Sequence, residues 1–172
     1  MVSNAWCKFV REGERTVNVS YHHYFTVTYN ALSVPRFKQL LEVIRDLRTR
    51  YHAPGKTTRL LFDTPYLRYP DHLSIQVLPK EFSKYFDEQI DFVERNLDPV
   101  YGFTELELMK LKRVREWMLQ YPAPEFLKNA RSDFKTYFKE HDRRRQTDFR
   151  KTFPEFADFY NNLVEQGEQN AD

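Results

Sequence analysis

A single cysteine, Cys7, stands in a chain of 172 residues. One sulfur cannot close an internal disulfide, nor can it hold a structural zinc or an iron–sulfur cluster alone, so the chain reads as a protein of a reducing, cytoplasmic compartment. Long apolar runs are lacking too. Met1 to Gly13, MVSNAWCKFVREG, has no apolar segment of the kind an export signal needs, and the runs elsewhere last only a few residues, which argues against export or a spanning helix. Nor is there an excess of one charge. Lys and Arg number 27 against 25 Asp and Glu, a net +2, so nucleic-acid binding would have to rest on a local patch. The length also falls short of the roughly 250 residues of a complete α/β barrel. Repeats and low-complexity segments are absent.

Aromatic rings are abundant. Fifteen Phe and eleven Tyr suggest a core or cleft built from rings rather than from Val and Ile. Val17 to Tyr29, VNVSYHHYFTVTY, alternates apolar and polar residues and reads as one long strand. After a turn over residues 30–34, Pro35 opens a helix carrying Phe37, Leu40, Leu41, Ile44, Leu47 and Tyr51, stopped by Ala53, Pro54 and Gly55. RLLFD, residues 59–63, has the profile of a buried strand. Strand, amphipathic helix and strand make the crossover unit of a parallel sheet, which puts the fold in the α/β class.

Further along, LSIQVL at residues 73–78 fits a third short strand or an extended loop. Pro79 then opens a helix with a stripe of Phe82, Tyr85, Phe86, Ile90 and Val93. Thr104 and Glu107 have the spacing of a capping box, for a helix carrying Leu106, Met109, Val114, Trp117, Met118 and Tyr121. Pro122 and Pro124 separate it from one lined by Leu127, Ala130, Phe134, Tyr137, Phe138 and His141. A last helix starts near Pro154 with Phe156, Ala157, Tyr160, Leu163 and Val164.

Candidate sites follow from these placements. His22 and His23, as strand neighbours, point to opposite faces and cannot share one metal. His141-Asp142 resembles the doublet of metal phosphohydrolases, but the other histidines fall in strands or loops, so His141 reads as a helix-end residue. HDRRRQTDFRKTFPEFADFY, residues 141–160, concentrates arginines and rings. It would suit single-stranded RNA through charge and stacking, or else finish a helix and seat the next one. Parallel sheets meet their ligands at the carboxyl ends of the strands. That singles out Asn30 and Ser33 after the first strand, with Asp63 and Thr64 after the second, as groups able to orient a small polar ligand. Turn and cap chemistry uses the same residue types.

Three stretches in order, FTVTYNALSVPRFKQLLEVI, LLFDTPYLRYPDHLSIQVLPKEF and FKTYFKEHDRRRQTDFRKTFPEFADFY, make residues 17–160 resemble the later half of twitch-domain-type radical S-adenosylmethionine proteins of phages and marine and metagenomic bacteria. The resemblance implies a partial, barrel-like parallel sheet over residues 1–98 and a C-terminal helical extension over 99–172 packed on it. It implies strand ends that face S-adenosylmethionine, with Asn30, Ser33, Asp63 and Thr64 on the cofactor side. In that family a Cys-x3-Cys-x2-Cys loop in the earlier half binds a [4Fe–4S] cluster, which cleaves the cofactor to a 5′-deoxyadenosyl radical. Here only Cys7 is present and the early βα units of the barrel are missing. The expectation is therefore a C-terminal portion, not independently catalytic, whose open sheet edge calls for a separate N-terminal half or self-association. The alternative expectation is a small binding protein that uses the basic and aromatic C-terminal surface for single-stranded nucleic acid or a protein partner.

Overall fold

The computed structural model describes residues 23–51, 60–120 and 122–164. Two short strands, β1 (His23–Thr26) and β2 (Leu60–Asp63), pair in parallel with His23 opposite Leu60 and Thr26 opposite Asp63. Among the described residues they are the whole sheet. The long strand expected over residues 17–29 is regular only to Thr26, and residues 17–22 lie outside the described part. Beyond Thr26 the two chains stay paired without a regular ladder: the Val27 N–H donates to the Asp63 carbonyl at 2.9 Å and the Tyr29 N–H to the Pro65 carbonyl at 2.7 Å. Pro65 has no N–H to return, which interrupts the ladder before the Leu67 N–H donates to the Tyr29 carbonyl at 2.8 Å.

The crossover between the strands is α1 (Phe37–Arg50), which buries Phe37, Leu41 and Ile44. It begins two residues after Pro35. That proline lies instead inside a 3-10 turn, Ala31–Arg36, capped by the Asn30 side chain. Residues 73–78 form no strand. Leu73 ends one 3-10 turn, Asp71–Leu73, and a second, Ile75–Val77, is capped by Ser74, with Ile75, Gln76 and Val77 all buried. A further 3-10 turn after Pro79 leads into α2 (Ser83–Glu94), whose buried residues are Phe86, Gln89 and Val93.

The expected capping box opens α3 (Glu105–Leu119): the Glu107 N–H donates to Thr104 Oγ1 at 3.3 Å and the Thr104 N–H to Glu107 Oε2 at 2.9 Å. Its buried face differs from the expected stripe. Leu108, Leu111, Val114 and Met118 point inward, whereas Leu106 and Met109 are 56% and 55% exposed. The helix turns Glu107 inward to meet Arg48, and the buried face follows that rotation.

α4 (Pro124–Arg145) ends at Gln146, which takes the left-handed conformation with φ 53°. The Asp142 carboxylate fixes the turn by accepting from the Thr147 hydroxyl and the Phe149 N–H, both at 2.7 Å. Next come α5 (Phe149–Thr152), a 3-10 turn at Pro154–Phe156 and α6 (Ala157–Asn161). Phe149 is the hub of this end, with ring centroids 4.3 Å from Phe138, 5.1 Å from Phe153 and 5.1 Å from Tyr160. Burying a ring of this size contributes about 1.5–3 kcal/mol. Buried residues from Tyr29 to Leu163 join in one hydrophobic cluster that runs across residue 98.

Candidate functional site

Asn30 and Ser33 are engaged with one another. The Asn30 Oδ1 accepts from the N–H groups of Leu32 and Ser33 at 3.0 and 3.2 Å, and the Ser33 Oγ accepts from the Asn30 N–H at 3.5 Å. This capping box starts the turn that leads into α1. Nearby, the buried Tyr29 hydroxyl donates to Gln89 Oε1 at 2.6 Å, and Gln89 Nε2 donates to the Val34 carbonyl at 2.7 Å. Burial pushes the Tyr29 phenol well above its ordinary range, so the ring stays protonated and its hydroxyl serves as a donor.

Asp63 and Thr64 stand in a different setting, a half-open pocket of about 220 Å³ at the carboxyl end of β2. Its walls are Asp63 to Tyr66 on one side and Lys110, Arg113 and Val114 of α3 on the other. The Asp63 carboxylate binds Lys110 Nζ at 2.8 Å and accepts from the Thr64 N–H at 2.9 Å. The hydrogen bond from Lys110 holds its carboxyl below the usual carboxylate range. Thr64 is only 4% exposed, and among the described residues its hydroxyl has no hydrogen-bond partner. Among the described residues Arg113 pairs with no carboxylate. The Tyr66 ring stacks on Trp117 at 4.8 Å, and the Arg68 guanidinium lies over Tyr66, 5.3 Å from its centroid. Of the four residues singled out in the sequence, two therefore share this pocket while the other two cap the neighbouring turn.

Lys110 and Arg113 escaped sequence reasoning because they sit on the polar side of α3, where lysine and arginine are ordinary. Arg48 was missed as well. It is 3% exposed and stands between Phe62 and Phe103, with its guanidinium carbon 5.7 and 5.2 Å from their ring centroids. It pairs with both oxygens of Glu107 at 3.1 and 2.6 Å and donates to the carbonyls of Leu60 and Gly102. The available signal was its spacing: Phe37, Leu41, Ile44 and Arg48 continue one helical stripe.

No family model matches the chain, and no curated protein or solved structure does either. The site is accordingly read from its own chemistry. Cys7, the one cysteine of the sequence, lies outside the described residues. Among the described residues no three His, Cys, Asp or Glu side chains come together as metal ligands, and no helix is long and apolar enough to cross a membrane. His22 lies outside the described part. His141 stays on α4, with Nδ1 3.8 Å from Asp142 and its ring beside Tyr137 and Phe138.

In the C-terminal block, Arg143 makes a two-pronged bond to Glu140 at 2.7 Å, and Arg144 binds the same carboxylate. Hydrogen bonds from Arg143 and then Arg144 hold the Glu140 carboxyl down to about 2. The rings of Phe149 and Phe156 are buried. Those two rings offer no faces for bases to stack on.

Proposed function

We propose that this chain is a small ligand-binding module, working at the carboxyl end of the β1–β2 pair and performing no radical chemistry by itself. The observation that carries this reading is the pocket between β2 and α3, which gathers a carboxylate, two cations and a buried free hydroxyl at the place where parallel strands meet ligands. Isotope-labelled full-length protein, titrated with a fragment set of anionic, cationic and neutral members, tests it through backbone amide shifts. Saturable shifts are expected over residues 63–67 and 110–114. Shifts confined to residues 143–151 would move the function to the C-terminal arginines and overturn the reading.

A second reading follows the resemblance: the chain serves as the C-terminal portion of a radical S-adenosylmethionine protein, with β1–α1–β2 as one unit of a partial barrel completed by another polypeptide. Its support is the parallel crossover itself, together with Phe25, which lies beside buried Phe62 in the ladder yet is 44% exposed. Co-expression with a separate chain carrying a Cys-x3-Cys-x2-Cys half tests it. A co-eluting complex with the broad visible absorption of an iron–sulfur cluster is the expected result, and separate elution would count against it.

A further inference from the structure

We infer that the pocket at the end of β2 binds a small oxyanion, a phosphate or carboxylate group, through Arg113, Lys110 and the Thr64 hydroxyl. The inference rests on the binding reading above and names the class of ligand.

Charge makes the first selection. Lys110 and Arg113 face a single carboxylate, Asp63, so the lining carries one positive charge in excess. A divalent cation would be repelled by two cations and drawn by one carboxylate; an anion finds two cations against that one carboxylate. Asp63 already engages Lys110 at 2.8 Å and holds that ammonium against the pocket wall, leaving the other donors of Nζ for an incoming group. Arg113 has no carboxylate of its own among the described residues, and its planar fork matches two oxygens of a phosphate or carboxylate. The Arg68 guanidinium is joined to the hydroxyl of Tyr66, a lining residue, at 3.1 Å.

Thr64 makes the second selection. Buried hydroxyls are normally hydrogen-bonded, and this one is more than nine-tenths buried with no partner while its residue lines the pocket. The hydroxyl oxygen is itself closed to solvent in the free protein, so a rotation of the Thr64 side chain is needed to give its proton to an oxyanion, which accepts without needing to donate. A volume of about 220 Å³ has room for a phosphate or carboxylate bearing a few further atoms.

The test titrates the full chain with inorganic phosphate and, separately, with malonate at constant ionic strength, following the amides of Thr64, Tyr66 and Arg113. Saturable binding is expected. Arg113→Met, a change at an exposed position, should weaken it about tenfold or more. Thr64→Val should weaken it as well. Arg45→Gln, which removes one charge from the exposed side of α1, should leave it unchanged. Binding of phosphate alone would assign the site to phosphate esters, and binding of malonate alone to carboxylic acids; either supports the inference. Silence with both anions, or equal weakening by Arg45→Gln, overturns it. Should both anions be silent while neutral or cationic fragments still shift residues 63–67, the oxyanion assignment falls and the binding reading stands.

Discussion

At the start of β2 the Arg48 guanidinium is enclosed by two rings and hydrogen-bonded to Glu107, Leu60 and Gly102, while at the strand's end Arg113 lines a pocket beside the buried Thr64 hydroxyl, and among the described residues neither has a side-chain partner. Both clusters join β2 to α3, and both hold a carboxylate beside a cation. They differ in what is left over. A fully matched buried pair has no capacity for a ligand and acts as a strut between α1, β2 and α3. Groups left unmatched at a strand end have that capacity, and they lower stability until something binds.

Breaking the strut should have the largest effect. Arg48→Met leaves the Glu107 carboxylate buried without its counter-charge and is expected to cost about 3–5 kcal/mol, read as a fall in the urea midpoint. The double variant Arg48→Met with Glu107→Leu should recover much of that loss, although the cap of α3 is sacrificed. Gly102→Ala comes next. A Cβ there would lie 2.0 Å from the Asn96 carbonyl oxygen, forcing the loop that supplies one of the Arg48 acceptors to move. We expect about 1–3 kcal/mol of destabilisation by the same measurement.

How much of this was visible beforehand depends on range. α1, the parallel strands, the Thr104–Glu107 box and the long helix ending at Arg145 were legible because caps and helical periodicity are written in neighbouring residues. Asp63 and Thr64 were legible through a rule about strand ends. The two 3-10 turns over residues 71–77 were not, since a short apolar run fits several backbone shapes. Arg48 reads locally as one of several basic residues near a helix end, and its partner is 59 positions away. Leu106 and Met109 lie on the exposed side of α3 for the same reason: a contact distant in sequence sets the rotation of the helix.

A smaller effect concerns pH. His72 packs on Tyr137 at 4.9 Å with Nε2 buried and, among the described residues, unpaired, and burial lowers its tendency to protonate, against the opposing pull of Asp133 and Asp71. Its pKa in the folded protein lies below the unfolded value of 6.5, so the folded state resists the proton that the unfolded chain accepts. Stability from this group is complete above about pH 6.5 and declines as the pH falls below it. The urea midpoint should therefore drop less between pH 7.5 and 5 in His72→Phe than in the parent. Smallest of all is Arg144→Ala, which removes one exposed partner of Glu140 and should leave the melting temperature unchanged within error. Phe153→Ala, which strips a ring from the Phe149 cluster, should lower it measurably.

The contrast between the two ends of β2 is tested most directly by Thr64→Val, measured as the urea midpoint with and without phosphate. Removing an unmatched buried hydroxyl at constant shape should stabilise the free protein by about 1 kcal/mol and reduce the added stability that phosphate gives the parent. A valine variant that is less stable than the parent, yet gains as much from phosphate, would contradict the account.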